Sequence, residues 1–357
     1  MKTHYQIAGA AWLLAVALGL HAASPAMPVR GLHLMAPKPE EMELALRFIR
    51  EALPKEGVNT LVMEFDYRYR FTRRPEVTDA DALSKEDIGK IAAACRRAGV
   101  RLIPQINCLG HQSWEGHTSG LLRAHPELDE TPGKYPGNAG IYCRSYCPLH
   151  PKVHEIVFDL IDELAEVTGA DAVHTGMDEV LLLGDDDCER CKGRNKAELF
   201  AGEVSALADH LARSGRTMWI WGDRLLDGAT TGIGKWEASM NGTQDAIRAI
   251  RKDIVICDWH YEDVLPSATY FAMSGFPVVA CPWRKPNVAL GLLGMVRDTR
   301  AHATAAIGGR MQGLLQTTWA PLGAFAKAYF GEPTGDAGVH EAVQTFRALF
   351  EELRAVP

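Results

Sequence analysis

Residues 27–357 read as a single α/β domain, a closed (β/α)8 TIM barrel. Three features lead there: eight short, near-continuously apolar runs, amphipathic stretches of helical period between them, and no glycine-rich phosphate fingerprint after the first run. An apolar run without alternation suits a parallel strand covered on both faces. Eight strand-helix units match a closed barrel better than an open doubly wound sheet.

The first strand is VRGLHLMA (29–36) and the second NTLVMEFD (59–66). KEDIGKIAAACRRAG (85–99) then has helical spacing and ends in Gly99, just before the third strand, RLIPQIN (101–107). HPKVHEIVFDLIDELAEVTG (150–169) repeats that arrangement before the fourth strand, ADAVHTGM (170–177). KAELFAGEVSALADHLARSG (196–215) does so again before the fifth, RTMWIWGD (216–223). DIVICDWH (253–260), FPVVACPW (276–283) and MQGLLQTTW (311–319) supply the last three strands, and the segment after residue 320 reads as the closing helical layer.

The chain has 357 residues, of which 47% are hydrophobic, enough for one large barrel or two ordinary domains. No linker or shift in composition marks a second domain. The formal net charge is −7 and acidic and basic residues interleave without a basic block, which argues against nucleic acid as a partner. Lys2 and His4, the run IAGAAWLLAVALGL and the small residues HAASPA read as an export signal over residues 1–26, with cleavage after Ala23 or Ala26. The run is short and isolated for a membrane span, an uncleaved N-terminal anchor being the alternative to a cleaved signal, and nothing later resembles a span. A periplasmic or extracellular location is therefore expected.

Export permits disulfides, but 8 cysteines in this length do not make a disulfide scaffold. Cys143 with Cys147, and Cys188 with Cys191, are close in sequence; disulfides and a zinc site are both open to them. Cys95, Cys257 and Cys281 sit in apolar runs, as inert core residues do. The acidic run around Asp185, Asp186 and Asp187 reads as a solvated turn, with Ca²⁺ as the alternative occupant.

In this fold the chemistry gathers at the C-terminal ends of the strands. Asp66 ends the second strand, NCLGHQSWEGH follows the third, and Asp178 and Glu179 follow the fourth. Trp221, Asp223, Trp259, His260, Tyr261, Trp283 and Trp319 end the remaining four. Indole rings interleaved with polar groups in a barrel mouth suit a sugar, whose C–H faces pack on the rings while its hydroxyls need hydrogen bonds.

These residues resemble the family 20 glycoside hydrolases, the β-N-acetylhexosaminidases. That family's H-x-G-G-D-E segment is matched by His174-Thr175-Gly176-Met177-Asp178-Glu179. GVNTLVMEFD resembles its second strand, ending in a substrate-binding aspartate, Asp66; IPQINCLGH is similar to its I-P-E-x-D-x-P-G-H segment and brings His111. CPLHPKVHEIVFDLIDEL resembles the helix before the catalytic strand, and QTTW the last strand.

The resemblance implies an exo-acting enzyme that releases terminal GlcNAc or GalNAc by substrate-assisted, retaining hydrolysis, with no cofactor and no catalytic metal. The substrate's acetamido oxygen attacks the anomeric carbon. Asp178 would orient the acetamido nitrogen, and Glu179 would protonate the leaving oxygen and then activate water, roles that require two neighbouring acids with pKa values pushed apart. Tyr261 would steady the acetamido carbonyl, His111 would support the acids, and His174, Trp221, Trp259, Trp283 and Trp319 complete the expected sugar site.

Three departures stand out. Met177 replaces the second glycine, so the turn holding Asp178 is expected to be less free. Ala320 and Pro321 follow Trp319 where an acidic residue often binds sugar hydroxyls. The small α/β domain that often precedes the family barrel is not found, as expected of a barrel-only member. The first two of these features leave a non-catalytic carbohydrate-binding barrel as the alternative, while an envelope-assembly protein would leave the clustered tryptophans and carboxylates without a role.

Overall fold

A computed structural model describes residues 27–355. Eight parallel strands close into a barrel: β1 (Val29–Met35), β2 (Thr60–Glu64), β3 (Arg101–Cys108), β4 (Ala172–Gly176), β5 (Thr217–Trp221), β6 (Val255–Trp259), β7 (Val278–Cys281) and β8 (Met311–Gln316). Each falls inside one of the eight apolar runs or extends it by one residue. β1 pairs with β2 from Gly31 opposite Thr60 to Met35 opposite Glu64, and closes the barrel on β8 from Val29 opposite Gly313 to Leu32 opposite Gln316. The export signal expected over residues 1–26 lies outside the described residues.

Helices cover the strands where the apolar spacing placed them. Lys85–Arg97 begins at Ser84, which accepts from the Asp87 N–H in a reciprocal capping box, and Lys196–Arg213 begins at Asn195, which accepts from the N–H groups of Ala197 and Glu198. Val153–Thr168 ends at Gly169 in the left-handed conformation. Pro286–His302 follows β7, and Leu322–Tyr329 with Ala337–Ala355 makes the closing layer.

One unit departs from the expected regularity. Between β5 and β6 the chain makes 3₁₀ turns at Asp223–Leu225 and Thr243–Arg248 and a four-residue helix at Gly228–Thr231. Gly232, Gly234 and Gly242 all take positive φ there, which interrupts any longer helix. That connection is freed to fold over the barrel mouth.

The core has two layers. One packs helices on the outer faces of the strands; the other fills the barrel with Val62, Ile103, Trp219, Trp221, Val255, Val279 and Leu315. Trp219 and Trp221 are almost wholly buried and fill the barrel interior, separating a smaller pocket at the N-terminal ends of the strands, beside Val29, Thr60 and Arg101, from a larger one at their C-terminal ends. Among the described residues, no helix is long and apolar enough to cross a membrane.

Candidate active site

A cavity of about 720 Å³ opens at the C-terminal ends of the strands. Asp66, His111, Asp178, Glu179, Trp259, Tyr261, Trp283 and Trp319, all singled out from the sequence, line it together. Two others do not. His174 and Trp221 are fully buried beneath it, their rings 4.4 Å apart, with Trp221 packed 5.4 Å from Trp319. They form the floor on which Trp319 rests rather than a surface a sugar can touch.

His111 links the two acids. Its Nε2 lies 3.2 Å from Asp178 Oδ2 and 3.2 Å from Glu179 Oε2. Burial alone would lower its pKa, but the charge of Asp178 and contacts to both carboxylates outweigh it and hold the imidazole well above its ordinary value. The turn that carries His111 is braced by Gln112, whose Nε2 donates to the Asn107 and Gly110 carbonyls and whose Oε1 accepts from the Tyr67 hydroxyl. Asp66 is not the partner of His111. It accepts from the Asn107 backbone N–H at 2.8 Å and from Asn107 Nδ2 at 3.2 Å, and burial together with nearby Glu64 raises its pKa to about 7.

The acid pair sits on a turn that few residue types tolerate. Gly176, Met177 and Glu179 have φ of 69°, 77° and 48°. A Cβ on Gly176 would fall 2.3 Å from Asn107 Oδ1, and one on Gly110 would fall 2.9 Å from the Asp178 carbonyl, so both glycines permit a close approach. Met177 adopts the left-handed backbone of the glycine it replaces. Its side chain is fully buried in the core, and that burial offsets the ~1–2 kcal/mol cost of the conformation. Asp66, His111 and Trp319 are also left-handed, at 47°, 53° and 48°, so strained backbone gathers around this cavity.

Asp223 holds the turn from the β5 side: its Oδ2 accepts from the Glu179 N–H at 2.9 Å and from Arg224 Nε at 2.6 Å. Arg224 Nη2 in turn donates to the carbonyls of Lys235, Trp236 and Ala238, tying the irregular β5–β6 connection to the turn that carries the two acids.

Across the cavity the aromatic rings support one another. Tyr261 stands between Trp259 and Trp283, with centroids at 5.1 and 5.3 Å, and its hydroxyl accepts from Trp319 Nε1 at 2.8 Å. His260 points away, its Nδ1 2.8 Å from Glu237 and its Nε2 3.2 Å from Asp258, an arrangement that overcomes burial and raises its pKa to about 10.

Several lining residues escaped the sequence reading. Arg68 lies two residues beyond Asp66, past a turn at Asp66 and Tyr67 that no strand period reveals, and Asn107 was hidden in IPQIN. Trp114 sits on a two-residue hairpin, Ser113–Trp114 with His117–Thr118, inside the expected loop. It meets Tyr142 edge-on at 4.9 Å, and Tyr142 meets Trp236 at 4.9 Å, giving a half-exposed aromatic rim. Only the fold brings these three segments together.

Cys188 and Cys191 stay together as their spacing suggested, but Cys143 and Cys147 do not. Cys143 lies under the acid turn, its Sγ 3.7 Å from the Glu179 carbonyl, whereas Cys147 joins Cys188 and Cys191. The intervening Arg144 is pulled toward Asp129, Asn138 and the Tyr135 carbonyl, which separates the two thiols. Asp185 and Asp187 do not converge on an ion site; they pair with Lys196 and Lys134.

A beta-hexosaminidase of Akkermansia muciniphila is 26% identical over 151 residues, which are 39% of this chain and 29% of that protein. The exo β-N-acetylglucosaminidase of Vibrio harveyi in complex with N-acetylglucosamine superposes with a TM-score of 0.63 at 17% identity, over 92% of this chain and 58% of that one. The chitobiase of Flavobacterium johnsoniae gives 0.60 at 17%, over 91% and 52%. The chain thus spans little more than half the length of these structures and less of the curated relative. The family model for the catalytic domain of glycosyl hydrolase family 20 matches residues 60–286, from β2 into the helix after β7 and well over half of the sequence, and the chain belongs to that family.

Proposed function

We propose that this protein is an exported, exo-acting β-N-acetylhexosaminidase, cutting terminal β-linked GlcNAc or GalNAc from glycans with retention of configuration through an oxazolinium intermediate. The observation that carries the reading is the contact of both carboxylates with one imidazole nitrogen. Two acids that share Nε2 stand on one side of the cavity and leave no room for a sugar between the contacting oxygens. A flanking pair of enzymic nucleophile and acid needs that room, whereas a nucleophile supplied by the substrate does not.

Asp178 accepts from the acetamido N–H and balances the positive charge that grows as its carbonyl oxygen attacks C1. Tyr261 donates to that oxygen. Glu179, 3.2 Å from the imidazolium of His111, exchanges a proton with it and delivers one to the departing oxygen. Asp66 and Arg68 meet sugar hydroxyls, and Trp319, Trp259 and Trp283 pack on the sugar's apolar faces. The glycine-like turn at Met177 keeps the acid pair in place and favours turnover over a binding-only role.

Product anomer analysis by NMR on an aryl β-GlcNAc substrate, beside the matching β-glucoside, tests this. Retained configuration and a nearly inert glucoside are expected. Asp178→Asn should slow glycosylation by about 10²-fold or more, because an amide cannot balance the growing charge. An inverted product, or a glucoside cleaved as fast as its N-acetyl counterpart, rejects the mechanism.

A further inference from the structure

Behind the acid turn, four side chains converge that this mechanism does not use. Cys147 Sγ lies 3.4 Å from Cys188 Sγ and 3.5 Å from Cys191 Sγ, and with a carboxylate oxygen of Glu130 the four ligand atoms all lie within 4.8 Å of one another. Every one of these residues is buried. We propose that Glu130, Cys147, Cys188 and Cys191 form a structural zinc site that staples the two long loops carrying the catalytic groups. The proposal does not rest on the substrate or mechanism assigned above.

Three aspects of the geometry favour a metal over a disulfide. First, a disulfide joins two sulfurs and would leave the third thiol and the carboxylate buried without a purpose. A tetrahedral ion uses all four. Sulfurs 2.3 Å from zinc stand about 3.8 Å apart along a tetrahedral edge, near the separations seen.

Second, the carboxylate is oriented but incomplete. Glu130 Oε1 accepts from the Gly184 N–H at 2.8 Å, while buried Oε2 has no hydrogen-bond partner. A buried carboxylate oxygen without a partner is costly, and a cation removes that cost. The Gly184 N–H then acts as the outer hydrogen bond that fixes a ligand's direction.

Third, the backbone is arranged to receive thiolates. The Leu149 N–H points to Cys147 Sγ and the Arg190 N–H to Cys188 Sγ, each two residues beyond its cysteine. Between Cys188 and Cys191 the chain makes a tight turn, with the N–H groups of Cys191 and Lys192 both donating to the Cys188 carbonyl. Three soft thiolates and one carboxylate, closed to water, suit Zn²⁺ and leave no open position for catalysis. Binding releases the thiol protons to solvent.

Glu130 and Cys147 belong to the excursion between β3 and its helix, which also carries His111 and Tyr142. Cys188 and Cys191 belong to the loop that begins at Asp178 and Glu179. Bridging the two fixes the approach of His111 to both acids, which is the contact most sensitive to loop position.

Full-length protein, purified without chelator, should contain one zinc per chain by plasma mass spectrometry. Exchange for cobalt should give a thiolate-to-cobalt charge-transfer band and intense tetrahedral d–d bands. Glu130→Gln should weaken zinc retention against a chromogenic chelator by at least the ~10- to 100-fold typical of outer-shell changes, and Cys188→Ser should lose the charge-transfer intensity of one thiolate. The wild-type metal content and cobalt spectrum stand even where a variant fails to fold. Purified protein that takes up neither zinc nor cobalt overturns the proposal, whether alkylation under denaturing conditions, mapped to Cys147, Cys188 and Cys191, then finds all three free or two of them oxidised.

Discussion

The two sides of the barrel mouth are built by different physics. On the side of β2, β3 and β4 stand Asp66, His111, Asp178 and Glu179, held by hydrogen bonds and ion pairs, all but Asp178 on left-handed backbone. On the side of β6, β7 and β8 stand Trp259, Tyr261, Trp283 and Trp319, held mainly by ring packing over a floor of Trp221 and His174. Charged groups must be aimed to within fractions of an ångström, and directional bonds achieve that; an apolar sugar face needs area, which rings supply with less directional demand. On the proposed mechanism the first half carries the acid pair and the second carries most of the surface on which a sugar packs.

Removing the proposed proton donor should break the first half most severely. Glu179→Gln is expected to lose about 10²- to 10⁴-fold in rate on natural glycosides while retaining sugar binding. The loss in glycosylation should be smaller for activated aryl leaving groups, which need less protonation. Equal losses in single-turnover measurements would remove Glu179 from that role.

The aromatic half should fail differently. Trp319→Ala is expected to raise KM by about 5- to 30-fold, ~1–2 kcal/mol of lost packing, and to change kcat less. Trp319→Phe keeps an aromatic face but not the N–H that donates to Tyr261, so it separates packing from orientation of that hydroxyl. A loss confined to kcat in steady-state kinetics would erase the division of labour.

The smallest expected difference lies in the pH dependence of stability. Folded Asp66 has its pKa raised to about 7 by burial and by Glu64, with Arg68 and Asn107 opposing, while an unfolded aspartate titrates near ~3.9. The folded state holds a proton that the unfolded chain releases, so this group costs nothing at low pH and weakens the fold as pH rises from about 4 to 7. Folded His260 is raised to about 10 by Asp258 and Glu237 against the pull of burial, and an unfolded histidine titrates near ~6.5. Its stabilisation is fully present below about pH 6.5 and is lost as pH rises through about 10. Thermal melting against pH should therefore show Asp66→Asn flattening the lower window and His260→Gln the upper one. A single window affected by both would mean that the halves are electrostatically one unit.

Much of this was legible in the chain. Apolar period, capping residues and terminal glycines located the eight strands and the principal helices because those signals are local: Ser84 and Asn195 cap helices within three residues of themselves, and Gly169 ends one by its own φ. Asp178 with Glu179, Asp66 and the strand-end tryptophans were legible too, since in a closed barrel the last residues of every strand must face one mouth.

Depth and partnership were decided by tertiary structure. Nothing local distinguishes Trp221, sealed beneath the cavity, from Trp259 or Trp319 inside it; the difference is a matter of height along the barrel axis, which strand register sets. His111 finds the acid pair rather than Asp66 because a turn braced by Gln112 swings it toward β4. Cys147 leaves nearby Cys143 for two thiols more than forty residues away, next to a glutamate that no spacing rule connects to them. Sequence patterns report what each segment needs buried or capped, whereas the contacts between distant segments exist only after the barrel has closed and its long loops have packed across the mouth.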